Sequence, residues 1–424
     1  MDEIFTVVMT KIHYFSVQRE CLAFVKEMVT FQLDYLKFDA YQKVMLLRTI
    51  LFTGAVQGLF QLLLLRAKNK NHTADYWLMG WLFLVSAQLF FYYENTAVHS
   101  LLTGIGGGLA FSIPLISAPV LYQYIRSLSF NTQPDRLILA LYTLPWISYV
   151  IIILGTMVIY PGCLVITSGF PHFNATIPDV VIYLFTYPMA LIPGGYAIMG
   201  LITLHRYQKS LPDNYSYTES INLNWLKWLV ISILLLFIFL FGLIRFGTQQ
   251  RMLRAENLFL YVGVVLSVYV FLIGYLGLRQ NTQLLFATKD LPQKADSPVI
   301  SYQKTGLDDA AVERIYLQLL GHMEAEKPYL KDDLSLTVLA QQLGLNTNQL
   351  SQVINQKAES NFFTFVNRYR VEVVKIKLKD PAFAHLSILG IAYECGFRSK
   401  SAFNRIFKEQ TGMSPVQYQK REFI

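Results

Sequence analysis

The side chains best placed for chemistry in this chain are cations and amides near its C-terminal end. From Ala325 onward there are 14 Lys or Arg against 9 Asp or Glu, a net charge of +5 out of +8 for all 424 residues. A short basic stretch of this kind attracts a polyanion, nucleic acid before others. Other reactive constellations are missing from the sequence. Cys21, Cys163 and Cys395 lie far apart, with no C-x-x-C and no histidine at ligand spacing. That pattern supports neither a disulfide framework nor a zinc site. There is no HEXXH, G-x-S-x-G or P-loop run, and no glycine-rich ATP-binding segment of a histidine kinase. No catalytic residue, metal or cofactor is expected, and the chain is not expected to be an enzyme.

Two runs within the basic stretch carry one pattern. In LSLTVLAQQLGLNTNQLSQVIN, Leu336, Leu339, Ala340 and Leu343 recur at i, i+3, i+4 and i+7, the apolar stripe of a short helix. Gly344 stops that helix as a C′ glycine does. Asn346 can cap a second helix, with Gln349 three residues on as in a capping box, and this helix buries Leu350, Val353 and Ile354. Fifty-two residues later HLSILGIAYECGFRSKSAFNRIFK repeats the plan. Ile388, Ile391, Ala392 and Cys395 face inward, Gly396 ends the helix, and Ser399 caps the next, which buries Phe403, Ile406 and Phe407. Short helix, glycine turn and short helix make a helix-turn-helix unit, so two such units are expected. Between them a helix over Phe362–Leu378 buries Phe362, Phe365, Val366, Tyr369, Val373 and Ile376. Its polar side holds Arg368, Lys375, Lys377 and Lys379, either a solvated face or a set of phosphate contacts. Ahead of both units a helix over Ala310–Met323 lines up Val312, Ile315, Leu319 and Met323, for packing on the next domain or for signalling and self-association.

The run IAYECGFRSKSAFNRIFKEQTGMSPVQYQ resembles the signature of AraC/XylS-type transcription regulators, at Ile391, Ala392, Gly396, Phe397, Ser399, Ser401, Phe403, Phe407, Lys408, Gly412, Pro415 and Tyr418. EKPYLKDDLSL, QLSQVIN and NFFTFVNRYR are similar to the first half of the domain in membrane-anchored members from Bacteroidetes-like bacteria. The resemblance covers residues 309–424. Gln419 stands where the family commonly has Arg, and Asn355 where a basic residue often ends the first recognition helix. The resemblance implies that the second helix of each unit enters the DNA major groove. By matching positions, the implied base readers are Asn348, Ser351 and Gln352 in the first unit, and Lys400, Ser401, Asn404 and Arg405 in the second. These side chains suit the task, because Arg and Lys favour guanine O6/N7 while Asn and Gln favour adenine N6/N7. Asn346 and Ser399, at helix N-termini where backbone N–H groups point outward, suit phosphate oxygens, as does Lys408.

The carrier of this module is apolar. Hydrophobic residues make up 54 % of the chain and charged residues 15 %, and the mean hydropathy is +0.37. Soluble domains carry about 25 % charged residues, which argues against a wholly soluble protein. Seven stretches approach the length of ~20 residues that crosses a bilayer: Leu46–Leu65, Tyr76–Tyr93, Leu101–Ile125, Leu137–Tyr160, Val180–Leu204, Trp225–Phe246 and Leu258–Leu278. Arg66, Lys68 and Lys70 in the first loop, Arg126 and Arg136 in the third, and Arg206 and Lys209 in the fifth put the odd loops inside. Arg251 and Arg254 in the sixth loop, and Lys43 and Arg48 ahead of the first span, pull the other way. The N-terminus is then outside and the C-terminus cytoplasmic. Central positions hold Ser86, Gln88, Ser112, Thr143 and Ser148 but no Asp, Glu, Lys or His, against an ion path or membrane catalysis. Gly104 and Gly106–Gly108 form a small-residue face for helix packing or a ligand cleft, and Pro114, Pro188 and Pro193 can kink their helices.

The expected fold is all-α, a seven-helix transmembrane bundle followed by a cytoplasmic domain with two helix-turn-helix units. The domains are an N-terminal segment 1–44, a transmembrane sensor 45–278, a linker 279–308 and a DNA-binding domain 309–424. Residues 1–44 fit the bundle poorly; either translation starts at Met45 or they form a small amphipathic external segment. The expected function is that of a one-component transcription regulator in the bacterial cytoplasmic membrane, responding to a small-molecule or membrane signal. Its switch would be helix movement through 258–323, dimerisation, or cleavage of the linker. Expected partners are double-stranded promoter DNA, the lipid bilayer and a second copy as homodimer, with RNA polymerase as a further candidate. The alternative is a membrane enzyme or transporter with an attached DNA-binding regulatory domain.

Overall fold

The computed structural model describes residues 40–68, 71–95, 110–130, 136–160, 164–167, 170–173, 178–219, 221–242, 255–280 and 307–422. The expectations for residues 1–39, for the glycines at 104 and 106–108, and for the linker between 281 and 306 lie outside the described residues.

Each expected apolar stretch overlaps a helix among the described residues: α1 (Ala40–Arg66), α2 (Thr73–Asn95), α3 (Pro114–Phe130), α4 (Arg136–Ile159), α5 (Asp179–Asn214), α6 (Asn224–Gly242) and α7 (Ala255–Arg279). Among the described residues, five of them can by length and composition cross a membrane, through Val44–Arg66, Thr73–Glu94, Leu139–Thr156, Tyr187–Asn214 and Leu260–Arg279. This is fewer than the seven spans expected. The third helix is 17 residues long and buries Ser117, Gln123, Ser127 and Ser129 among its apolar residues. The sixth has a shorter apolar part, Asn224–Phe239. The chain is all-helical as expected, with one short antiparallel pair of strands added between α4 and α5. Its strands β1 (Leu164–Thr167) and β2 (Phe170–Phe173) pair Leu164 with Phe173 and Thr167 with Phe170.

Helix α1 packs between α2 and α7, α2 continues onto α3, and α3 and α6 pack on α5. Glycines permit the closest approaches. A Cβ on Gly54 or Gly263 of the α1–α7 pair would overlap Ser267 or Leu51, and one on Gly274 would overlap Gln61. Small residues of this kind let helix backbones approach closely. Two polar pairs inside are formed locally: Gln88 Nε2 donates to Tyr92 Oη at 3.0 Å, and Trp146 Nε1 donates to Ser112 Oγ at 3.0 Å. Outward faces are apolar instead of polar, with Leu63, Leu137, Ile151, Val158, Leu191 and Trp228 exposed by 62–78 %.

Helix α5 has 36 residues and runs past the expected end at Leu204 to Asn214. The sequence RYQKSLPDN, read as a connector, is helical because Leu204, Tyr207 and Leu211 recur on a buried side. Residues 215–219 and 221–223 then fold back on it. Tyr207 Oη donates to the Ile221 carbonyl at 2.8 Å and Gln208 Nε2 to that of Asn222 at 2.8 Å. Trp225 Nε1, at the start of α6, donates to Gln280 Oε1, just past α7, at 3.0 Å. The end of α5, the start of α6 and the end of α7 therefore meet on one side of the bundle.

The C-terminal domain comprises α8 (Asp309–Ala325), α9 (Leu336–Gln342), α10 (Thr347–Lys357), α11 (Phe362–Lys379), α12 (Ile388–Glu394), α13 (Lys400–Thr411) and α14 (Pro415–Glu422). Helix α8 buries the expected Val312, Ile315, Leu319 and Met323. Val312 and Ile315 pack with Val353 of α10, so this face serves the domain's own core. One core gathers α8, α9, α10 and the first half of α11; another gathers the second half of α11 with α12 and α13. Helix α11 spans both through a stripe at every fourth position, Phe362, Val366, Arg370, Val374 and Leu378, all buried. The stripe leaves Ile376, expected inside, 67 % exposed, and Tyr369 and Val373 only partly buried.

Both glycine turns are left-handed, Gly344 at φ 67° and Gly396 at φ 86°. They differ in their surroundings. A Cβ on Gly396 would stand 2.5 Å from the Tyr329 carbonyl oxygen and 2.9 Å from that of Leu330, while one on Gly344 would meet open space. Gly344→Ala is therefore expected to cost about 1 kcal/mol, the left-handed penalty alone, and Gly396→Ala about 3 kcal/mol, with backbone overlap added. Urea unfolding of the two variants of residues 306–424 measures the difference.

Candidate nucleic-acid interface

The first unit is α9, the Gly344 turn and α10. Ser335 caps α9 by accepting from the Val338 amide at 3.3 Å. Asn346 caps α10: its side chain accepts from the Asn348 amide at 2.9 Å, and its own amide donates to Gln349 Oε1 at 3.2 Å. This is the expected capping box. Leu350, Val353 and Ile354 are buried as expected. Of the expected base readers, Asn348 is exposed and Ser351 half-buried, but Gln352 is 5 % exposed and lies with the inward residues. Lys357, near the end of the helix, pairs with Glu313 of α8 at 2.5 Å.

The second unit is α12, the Gly396 turn and α13. Ser387 and Ser399 cap its helices, accepting from Gly390 and Ala402 amides at 3.0 and 3.1 Å. Phe403, Ile406 and Phe407 are buried, and Phe403 lies edge-on to Phe397 and Phe407. Lys400, Ser401, Asn404, Arg405 and Lys408 are all exposed. Their spacing of i, i+1, i+4, i+5 and i+8 makes one continuous face, so the fold brings these expected residues together. Arg405 lies 6.0 Å from the Phe363 ring and 3.7 Å from Glu409, with its side chain 53 % exposed. Cys395 is fully buried, and burial pushes its thiol up to about 11, which suits a small core residue.

The cations of α11 are largely engaged within the protein. Lys375 pairs with Glu372 at 2.8 Å and Lys377 with Glu394 at 2.7 Å, while Arg368 donates to the Ala358 carbonyl at 3.4 Å. Lys379 Nζ lies 5.9 Å from the Tyr418 ring centre. The residue that sequence reasoning missed on this helix is Arg370, 1 % exposed. Its Nε donates to the Tyr329 carbonyl and its Nη2 to that of Lys331, each at 2.7 Å. Burial, the largest influence, lowers its pKa to about 10. Its place four residues from Val366 and from Val374 was the available signal.

Arg370 also reaches outside the domain. Nη1 donates to the Ser216 carbonyl at 3.2 Å and Nη2 to Ser216 Oγ at 3.0 Å. Ser216 in turn donates through Oγ to the Leu334 carbonyl at 2.7 Å, and Asn367 Nδ2 donates to the Ser216 carbonyl at 3.2 Å. The Arg398 guanidinium stands 4.4 Å from the Tyr217 ring centre and pairs through Nε with Asp332 at 3.0 Å. Finally Glu219 Oε2 accepts from Ser399 Oγ and, at 2.9 Å, from Ser401 Oγ. The segment after α5 is thus seated on the second helix-turn-helix unit. No sequence pattern pointed to this contact, because its partners are about 180 residues apart.

Exposed cations on one helix face can do two separable things. Arg405, held near the centre of α13, is expected to read a base, and Arg405→Ala should cost about 1–3 kcal/mol on the preferred sequence while relaxing specificity there. Lys408→Ala should weaken binding alike on all sequences and flatten the salt slope. Affinities of both variants on matched and mismatched duplexes at two salt concentrations separate these roles; a uniform loss in both overturns the assignment.

Residues 339–421 match the family described as "Helix-turn-helix domain". The chain is 32 % identical over 90 residues to an uncharacterised HTH-type transcriptional regulator of Staphylococcus aureus (strain COL), an alignment covering 21 % of this chain and 12 % of that protein. It is 31 % identical over 83 residues to the uncharacterised HTH-type transcriptional regulator YpdC of Escherichia coli (strain K12), covering 20 % and 28 %. The chain thus spans a small part of the length of these relatives. No solved structure matches the chain. The C-terminal part of this chain is a DNA-binding helix-turn-helix domain of the AraC type.

Proposed function

We propose that the chain is a membrane-embedded one-component transcription regulator whose C-terminal domain binds promoter DNA under the control of a signal sensed in or at the membrane. The observation that carries this reading is the union in one chain of an exposed cationic recognition face on α13 with helices whose outer sides are apolar. Contiguous apolar surface of that extent is what lipid covers and water does not tolerate. In this reading α3 and α6 join the five longer helices in a seven-span sensor over residues 45–278, residues 279–308 are the linker, and 309–424 bind DNA. The contact of segment 215–219 with the DNA-binding domain supports a common side for the fifth loop and the C-terminus. The positive-inside rule makes that side cytoplasmic, at the bacterial inner membrane.

The proposed base readers are Asn348 and Ser351 in the first unit and Lys400, Ser401, Asn404 and Arg405 in the second, with Asn346, Ser399 and Lys408 on phosphates. Gln352, being buried, is left out of that set. A homodimer would read two half-sites about one helical turn apart, and a regulator at a promoter would meet RNA polymerase.

Selection of bound genomic fragments by residues 306–424 at two salt concentrations tests the reading. A defined motif is expected, and it should disappear with Arg405→Ala; retention of DNA with no motif at either salt counts against it. Reporter fusions at the C-terminus are expected to be active in the cytoplasm, and a periplasmic C-terminus overturns DNA binding by the intact protein.

A further inference from the structure

We propose that the segment after α5 is an intramolecular competitor for DNA, with Glu219 holding the anion position at the start of the recognition helix α13. This rests on the reading of α13 as a recognition helix and adds its regulation. Ser399 is the N-cap of α13 and Ser401 lies in its first turn, and both hydroxyls donate to the Glu219 carboxylate. The start of a helix favours one anion through its dipole and its free amides. A DNA phosphate oxygen and a carboxylate oxygen are ligands of the same kind there, so they exclude each other. The fixed negative charge also repels the DNA backbone as it approaches.

The rest of the segment is built to hold this carboxylate in place and to let it go. Arg370 fixes Ser216, and Arg398 lies over Tyr217. The packing is not complete, because a cavity of about 80 Å³ remains between the segment and Phe363, Phe397, Ala402 and Ile406. The segment's other end is tied to the bundle, through Tyr207 and Gln208 of α5 to the carbonyls of Ile221 and Asn222. A shift of α5 therefore moves Glu219 relative to Ser399. Lys400, Asn404 and Arg405 stay exposed in this arrangement, so the segment weakens DNA binding without covering the whole reading face. A signal that favours the separated state opens α13 in proportion to its preference for that state.

The test uses the full chain in phosphatidylcholine nanodiscs and fluorescence anisotropy of a labelled mixed-sequence duplex. Glu219→Ala is expected to bind about tenfold tighter than the unmodified chain, the size of a lost charge-assisted hydrogen bond. Tyr217→Ala, which removes the ring beneath Arg398, should shift affinity in the same direction. Asp213→Ala removes an exposed acidic charge from the end of α5 and should change nothing. Unchanged affinity in Glu219→Ala, or an equal gain in Asp213→Ala, overturns the competition. If neither the unmodified chain nor Glu219→Ala binds the duplex at any salt, the DNA-binding reading itself falls.

Discussion

A guanidinium withdrawn from water must have every donor satisfied, since an unpaired buried charge is among the most expensive features a fold can hold. Arg370 meets this demand with three backbone carbonyls, the Ser216 hydroxyl and the Asn367 side-chain oxygen. The carbonyls it uses belong to the turn at Tyr329 and Lys331 and to Ser216 of the segment after α5. Those two pieces are distant in sequence, so the arginine fixes where they sit relative to α11. Because α11 also carries the apolar stripe shared by both cores, its central cation joins the two helix-turn-helix units to the end of the bundle. Burial lowers the affinity of the guanidinium for its proton, yet with a pKa of about 10 it stays charged near neutrality.

The two helix-turn-helix units were legible because each of their determinants is local. Apolar spacing, a glycine that must adopt positive φ, and a capping side chain all act within a dozen residues, and Gly344, Gly396, Asn346 and Ser399 take the expected places. Helix α11 shows where local reading fails. Treating Arg370 as polar rotates the inferred apolar face toward Tyr369, Val373 and Ile376. The fold instead keeps the every-fourth-residue stripe and places the arginine inside it. Gln352 is the converse case, a polar residue expected outside that the packing of α10 turns inward.

In the bundle, the apolar stretches fixed where helices lie but not where they end. Helix α5 continues because Leu204, Tyr207 and Leu211 find partners in the returning segment, a tertiary effect with no local mark. The hairpin of β1 and β2 likewise sits in a connection that was read only as a gap between spans. The contact of Glu219 with Ser399 was beyond sequence reasoning for the same reason. It depends on how the end of one helix meets a domain far along the chain.

The length of α5 has a consequence for how this architecture can change. At 1.5 Å per residue its 36 residues extend ~54 Å. The helix therefore sets both the height and the azimuth at which its end meets the DNA-binding domain. Each residue inserted into it turns everything beyond by ~100°, carrying Ser216 away from Arg370. Viable length variants should then come in steps of about two turns, near seven residues, which restore the rotational phase.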